Sequence, residues 1–176
     1  LLDLAAPCVM GVLNVTPDSC SDGGHYLDVA AAVQRGVAMA GEGAAIVDVG
    51  GESTRPGAAD VDVDEELARV IPVIEQLVAR VPIPISIDTS KPEVMRAAIA
   101  AGASLVNDVR ALRDPGALQA VAGTGAAVCL MHMQGEPRTM QASPHYEDVV
   151  AEVSGFFAEQ LRTLVAAGID GEALCF

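Results

Sequence analysis

The sequence predicts an α/β protein in which buried parallel strands alternate with amphipathic helices. Three observations predict it. Six short apolar runs rich in Val and Ile recur along the 176 residues. Longer stretches with helical periodicity separate them. Polar residues collect where the runs end: Asn14, Asp48, Asp88, Asn107–Asp108 and His132. Regular alternation permits either a doubly wound sheet or a (β/α)8 TIM barrel. No G-x-G-x-x-G follows the first run, which counts against a dinucleotide-binding sheet. Polar residues behind each strand are placed as in a barrel, whose ligand sites sit at the C-terminal ends of the strands. The expected fold is therefore a (β/α)8 barrel, carried here to about the start of the sixth strand.

The expected strands are Cys8–Val15, Ala44–Val49, Ile83–Asp88, Ser104–Val109, Ala126–Met131 and Ala173–Phe176. They read as apolar runs without alternation, as strands buried on both faces should. The clearest helix follows Asp62. Val63, Leu67, Val70, Ile71, Ile74 and Leu77 form one face, with Asp64, Glu65, Glu66, Arg69 and Glu75 away from it. Pro72 should kink it. Ser90-Lys-Pro-Glu93 reads as a capped helix start, with Ser90 as cap and Pro92 in the first turn. Asp114-Pro115 reads as another. The last long helix should cover Tyr146 to Ala167, with Phe156, Phe157, Leu161 and Leu164 supplying apolar surface and Gly168 stopping it.

Composition narrows the function. Hydrophobic residues make up 51% but aromatics only 3%, with no Trp, so the core is built from Ala, Val, Leu, Ile and Met. The net charge of −14, with 10 scattered Lys and Arg, excludes a phosphate-tracking nucleic-acid binder. An anionic substrate needs a local Arg, a metal ion or a helix N-terminus. Cys8, Cys20, Cys129 and Cys175 form no C-x-x-C pair and no metal-binding spacing, and read as reduced, mostly buried thiols of a cytoplasmic protein. No apolar run reaches the length of a membrane span.

Four loops follow the first four strands. Met10–Gly24 reads MGVLNVTPDSCSDGG; Asp48–Gly57 reads DVGGESTRPG. In the latter, Gly50-Gly51 allow close backbone approach and Arg55 offers a fork for phosphate or carboxylate. Ser86–Glu93 reads SIDTSKPE and Leu105–Leu112 reads LVNDVRAL. Each alone is no more than a polar turn. Together, with CLMHMQGEPRTMQ further on, they closely resemble the dihydropteroate synthase family, from about Val9 to Phe176. That family folds as a (β/α)8 barrel in the cytoplasm. It is a transferase of folate biosynthesis, joining 6-hydroxymethyl-7,8-dihydropterin pyrophosphate to p-aminobenzoate with Mg²⁺.

The resemblance implies roles. Asn14 matches the position at the magnesium–pyrophosphate site. Asp88 and Asn107 match pterin-binding residues, and a carboxylate and an amide suit the donors and acceptor of a pterin edge. Val109 and Met131 match apolar positions along the ring. Thr54 and Arg55 match a loop near phosphate and p-aminobenzoate. Asp22 and Arg55 are the possible catalytic loop contributors. Cys20 stands near the p-aminobenzoate site where the family usually carries Phe, which bears on the sulfonamides that inhibit it. Asp88 as a helix cap, Val109 or Met131 as plain core, and His132 as a structural side chain are the competing views. The family is a homodimer, and binds neither nucleic acid nor membrane.

The family also continues into Asp-Pro-Gly, Lys and Arg-x-His segments that this chain does not contain. Residues 1–176 therefore read as one pterin-binding barrel domain incomplete at its C-terminus and at its N-terminus, inactive by itself. Two other readings stand beside this one. A methyltetrahydrofolate methyltransferase domain shares the ring-binding logic but not the STRPG and TPDS loops. A partial chain that binds nothing is the other.

Overall fold

The computed structural model describes residues 6–15, 24–52, 60–137 and 139–176. Six strands and five helices alternate: β1 Met10–Asn14, α1 Gly24–Gly41, β2 Ile46–Gly50, α2 Val63–Val78, β3 Ile85–Asp88, α3 Pro92–Ala100, β4 Leu105–Asp108, α4 Ala117–Val121, β5 Ala127–Leu130, α5 Val149–Ala166 and β6 Leu174–Cys175. All pairings are parallel and the strand order is β1-β2-β3-β4-β5-β6. Each strand therefore lies beside its sequence neighbour, as in a barrel wall. A doubly wound sheet would reverse its order at a switch point.

Every residue of β2 and the first three of β3 are buried, as expected of strands covered on both faces, whereas β4 and β5 alternate between buried and half-buried positions. One register row is apolar throughout: Leu13, Val49, Ile87, Val106, Val128 and Leu174. This row faces the helices, since Leu13 reaches Gly36 of α1 and Gly11, two residues earlier in β1, faces Met39 of that helix. The adjacent row is Asn14, Gly50, Asp88, Asn107, Cys129 and Cys175. Both rows hide inside segments that look uniformly apolar, because the polar positions are few and fall at the strand ends.

Val33, Val47, Val49, Val70, Ile74, Leu77, Ile87, Met95 and Val106 are fully buried between sheet and helices. Helices α1 and α2 approach closely at Gly36, where a Cβ would lie 2.7 Å from Leu77 Cδ2.

Helix α2 is capped by Asp62, which accepts from Glu65 N at 2.8 Å, and it runs on through Pro72. Glu66, expected on the exposed side, is completely buried on the inner face of α2. Ser90 does not cap α3. The cap position is Lys91, without a side-chain bond, and Ser90 Oγ donates to Asp108 instead. Helix α4 opens at Gly116, φ +87°, two residues after Asp114, which pairs with Arg110 at 3.6 Å.

Asp148 caps α5, accepting from Ala151 N at 3.0 Å, and Gly168 ends it at φ +88°. Of its four apolar residues only Leu164 is buried; Phe156 and Phe157 are partly covered and Leu161 is exposed. Cys8 and Cys175 are exposed and Cys129 partly so, which corrects the expectation of buried thiols. Cys129 and Cys175 belong to the inner row rather than to the helix-facing one.

Candidate functional site

The inner row brings Asn14, Gly50, Asp88 and Asn107 together at the C-terminal ends of four adjacent strands. Asn14 pairs in register with Gly50, Gly50 with Asp88, and Asp88 with Asn107. Gly50 is the floor between two polar side chains. A Cβ there would lie 3.5 Å from Asp88 Oδ2 and 3.8 Å from Asn14 Oδ1. Val109 and Met131 lie two residues beyond Asn107 and Cys129, both half-buried. Cys20, Asp22, Thr54 and Arg55 lie outside the described residues.

Asp88 sits among carboxylates. Burial raises its pKa to about 7, with the charges of Asp48, Asp108, Glu66 and Glu52 adding to the effect. It does not cap α3, whose cap position is Lys91. Among the described residues it accepts no hydrogen bond, so its oxygens remain for a ligand's donors. A carboxyl shifted this far by burial and neighbouring charges marks a candidate functional site.

Three neighbours shape this cluster. Asp48, only 2% exposed, accepts from Asn107 Nδ2 at 3.0 Å. Burial raises its pKa, opposed by Ser86 and Asn107. Asp108 is completely buried and organises the turn after β4, accepting from Ser90 Oγ, from Arg110 N at 2.8 Å and from Leu112 N at 2.7 Å. Ala111 and Leu112 follow at φ +58° and +54°, a left-handed pair that side chains rarely adopt. Lys91, the single lysine in the sequence, donates to both Glu52 and the buried Glu66. Burial works against its charge, but the two carboxylates outweigh it and its pKa is raised. Glu52 also accepts from Val61 N at 3.1 Å, and Arg69 donates to Gly51 O at 2.7 Å.

Sequence reasoning missed Glu52, Glu66, Lys91 and the contact of Asp48 with Asn107. A signal for Glu66 existed: it falls on the Val63–Val70–Leu77 stripe of α2. His132 packs edge-on against Phe156, with ring centroids 4.9 Å apart, and lies near Tyr146 and Phe157. That environment is a structural aromatic cluster.

Among the described residues no three His, Cys, Asp or Glu side chains form a metal cage. The Asn14 carbonyl is a hard oxygen donor on the same register row as Gly50 and Asp88. That donor set fits a cation completed by substrate phosphates and water, the usual manner of Mg²⁺.

The model of a family described as pterin binding enzyme matches residues 10–176. The chain belongs to the pterin-binding enzyme family. It is 57% identical over 173 residues to the dihydropteroate synthase of Escherichia coli K12, covering 98% of this chain and 61% of that protein. The dihydropteroate synthase of Yersinia pestis, solved in complex with a sulfonamide drug, superposes with a TM-score of 0.90 at 52% identity, over 98% of this chain and 63% of that one. That of Xanthomonas albilineans, solved with 4-aminobenzoic acid, gives 0.89 at 58%, over 98% and 61%. The chain thus spans about three-fifths of the length of the relatives it matches. No described helix is long and apolar enough to cross a membrane.

Proposed function

We propose that the protein carrying this chain is a dihydropteroate synthase. It joins 6-hydroxymethyl-7,8-dihydropterin pyrophosphate to p-aminobenzoate, releasing pyrophosphate and 7,8-dihydropteroate. The observation that carries the reading is the single register row Asn14–Gly50–Asp88–Asn107, which offers an amide, a glycine, a carboxylate and a second amide. Family membership and the ligands of the solved relatives support it.

In this reading Asp88 accepts paired donors of the pterin, and Asn107 completes that edge. Val109 and Met131 flank the ring, where a thioether suits an aromatic face. Asn14 would hold Mg²⁺ with the pyrophosphate, and the bound ion would neutralise charge on the leaving group. The carboxylates around Asp88 favour the positive charge that spreads through the pterin as its methylene C–O bond breaks. The amine of p-aminobenzoate then attacks that carbon and loses a proton. Thr54, Arg55 and Asp22 serve the phosphate and p-aminobenzoate side. The described residues carry no nucleophile in register with Asp88 except thiols, and burial, with the adjacent Cys175, raises Cys129 to about 11, which suits a reaction without a covalent enzyme intermediate. Magnesium, a cytoplasmic location, a homodimer and sulfonamide inhibition follow from the same reading.

The test is product formation. The protein, extended to the length of its relatives, should convert the two substrates to 7,8-dihydropteroate, measured by chromatography with and without Mg²⁺. Pterin pyrophosphate binding without turnover would overturn the synthase reading.

A further inference from the structure

We propose that Asp48 is a positioning residue that fixes the sense of the Asn107 amide and thereby decides which heterocycle edge the site accepts. The inference rests on the pterin-binding reading above. An Asn side chain is nearly symmetric in shape but opposite in chemistry at its two ends. Turning it over exchanges a donor for an acceptor. Something must choose between the two senses, and at Asn107 the structure shows what does. Its Nδ2 donates to Asp48 Oδ2 at 3.0 Å. An ionised carboxylate only accepts, so it holds the nitrogen end and turns the carbonyl oxygen away from itself.

Asp48 is well suited to this and poorly suited to a direct role. It is 2% exposed, on β2, in the register row below Gly50 and Asp88. Its other oxygen, Oδ1, and the hydroxyl of its register partner Ser86 are both buried without a well-formed bond. The Ser86 hydroxyl favours the charged form of the carboxylate. Asp48 therefore has reason to stay where it is whether or not ligand is present. The result above it is an edge of acceptors: the Asn107 carbonyl, and the Asp88 carboxylate paired with it in register. Such an edge selects a ligand that presents neighbouring donors, such as the amino group and ring N–H of a 2-aminopyrimidinone. It rejects one that presents an oxygen there, because two acceptors would meet.

The experiment compares binding of 6-hydroxymethylpterin with that of the matching lumazine, in which an oxygen replaces the 2-amino group. It uses the full-length protein and its Asp48→Asn variant. An amide at position 48 can hold Asn107 in either sense, so the preference should collapse. The unaltered protein should favour the pterin at least roughly tenfold, and Asp48→Asn should lower that ratio about fivefold or more. A ratio that stays constant while both ligands weaken equally would show a merely structural role and overturn the proposal. If the variant does not fold, amide exchange in the unaltered protein decides instead. One Asn107 side-chain N–H should exchange slowly by NMR in the absence of ligand, and exchange at the rate of a free amide would overturn the proposal. Failure of the unaltered protein to bind either heterocycle would sink the pterin-binding reading itself, an outcome distinct from both.

Discussion

Asp88→Asn should stabilise the ligand-free protein while crippling pterin binding. The carboxyl is carried from its ordinary 3.8 to about 7 by burial and by Asp48 on β2, Asp108 on β4, Glu66 on α2 and Glu52 after β2. Below pH 3.8 the group is protonated in the folded and unfolded states alike. As pH rises, the unfolded chain ionises first and the folded protein resists. Stability present at pH 4 is therefore lost as pH climbs through about 7, by something on the order of 4 kcal/mol. An amide has no charge to bury, so Asp88→Asn should recover about 2–4 kcal/mol at pH 8 and almost nothing at pH 4. Urea unfolding at the two pH values measures this directly. The same variant should lose roughly 2–4 kcal/mol of affinity for the pterin pyrophosphate, since a charge-assisted pair is gone. A variant no more stable than the parent at pH 8 would refute the stored electrostatic cost. Unchanged affinity would refute the role of Asp88 at the pterin.

Other outcomes follow from the same geometry. Gly50→Ala should fold, because its Cβ meets Asp88 and Asn14 at ordinary contact distances, yet pterin pyrophosphate titration should show weakened binding as the floor fills. Removing Lys91 alone as Lys91→Met leaves the buried Glu66 uncompensated and should cost about 3–5 kcal/mol in chemical denaturation, and Lys91→Met with Glu66→Leu should recover most of it. At Cys20, the ratio of sulfonamide Ki to p-aminobenzoate KM should fall in Cys20→Phe, because an aromatic side chain adds about 1–3 kcal/mol of contact area that the two ligands use unequally. Equal ratios would assign Cys20 no discriminating part.

The order of elements was legible in the sequence because each strand pairs with its sequence neighbour. No long-range choice of partner had to be guessed. The strand ends carrying Asn14, Asp88 and Asn107 were legible for the same reason. What escaped was everything set by side chains meeting across elements. Ser90 reads as a helix cap until Asp108, a full βα unit away, claims its hydroxyl. Glu66 reads as solvent-facing by residue type, and only the nearby Lys91 makes its burial tolerable. The Asp48–Asn107 bond spans two intervening helices in sequence, and no local pattern announces it. The alternation of β4 and β5 was missed because Leu105 and Cys129 look no different from core.

Sequential strand order also has a consequence for how the chain acquires its structure. The paired residues closest in sequence are those joining β3 to β4 and β4 to β5, as in Ile87 with Val106 and Val106 with Val128. Closing a short loop costs less entropy than closing a long one, so this central block should assemble early. It holds both Asp88 and Asn107, while Asn14 arrives from β1 across a longer span. Hydrogen exchange followed during refolding should protect the amides of β3, β4 and β5 before those of β1. Under the proposed function, the strands carrying Asp88 and Asn107 would then be paired before Asn14 joins them, and a ligand lacking pyrophosphate could engage the protein at a stage when the complete substrate gains nothing from its phosphates.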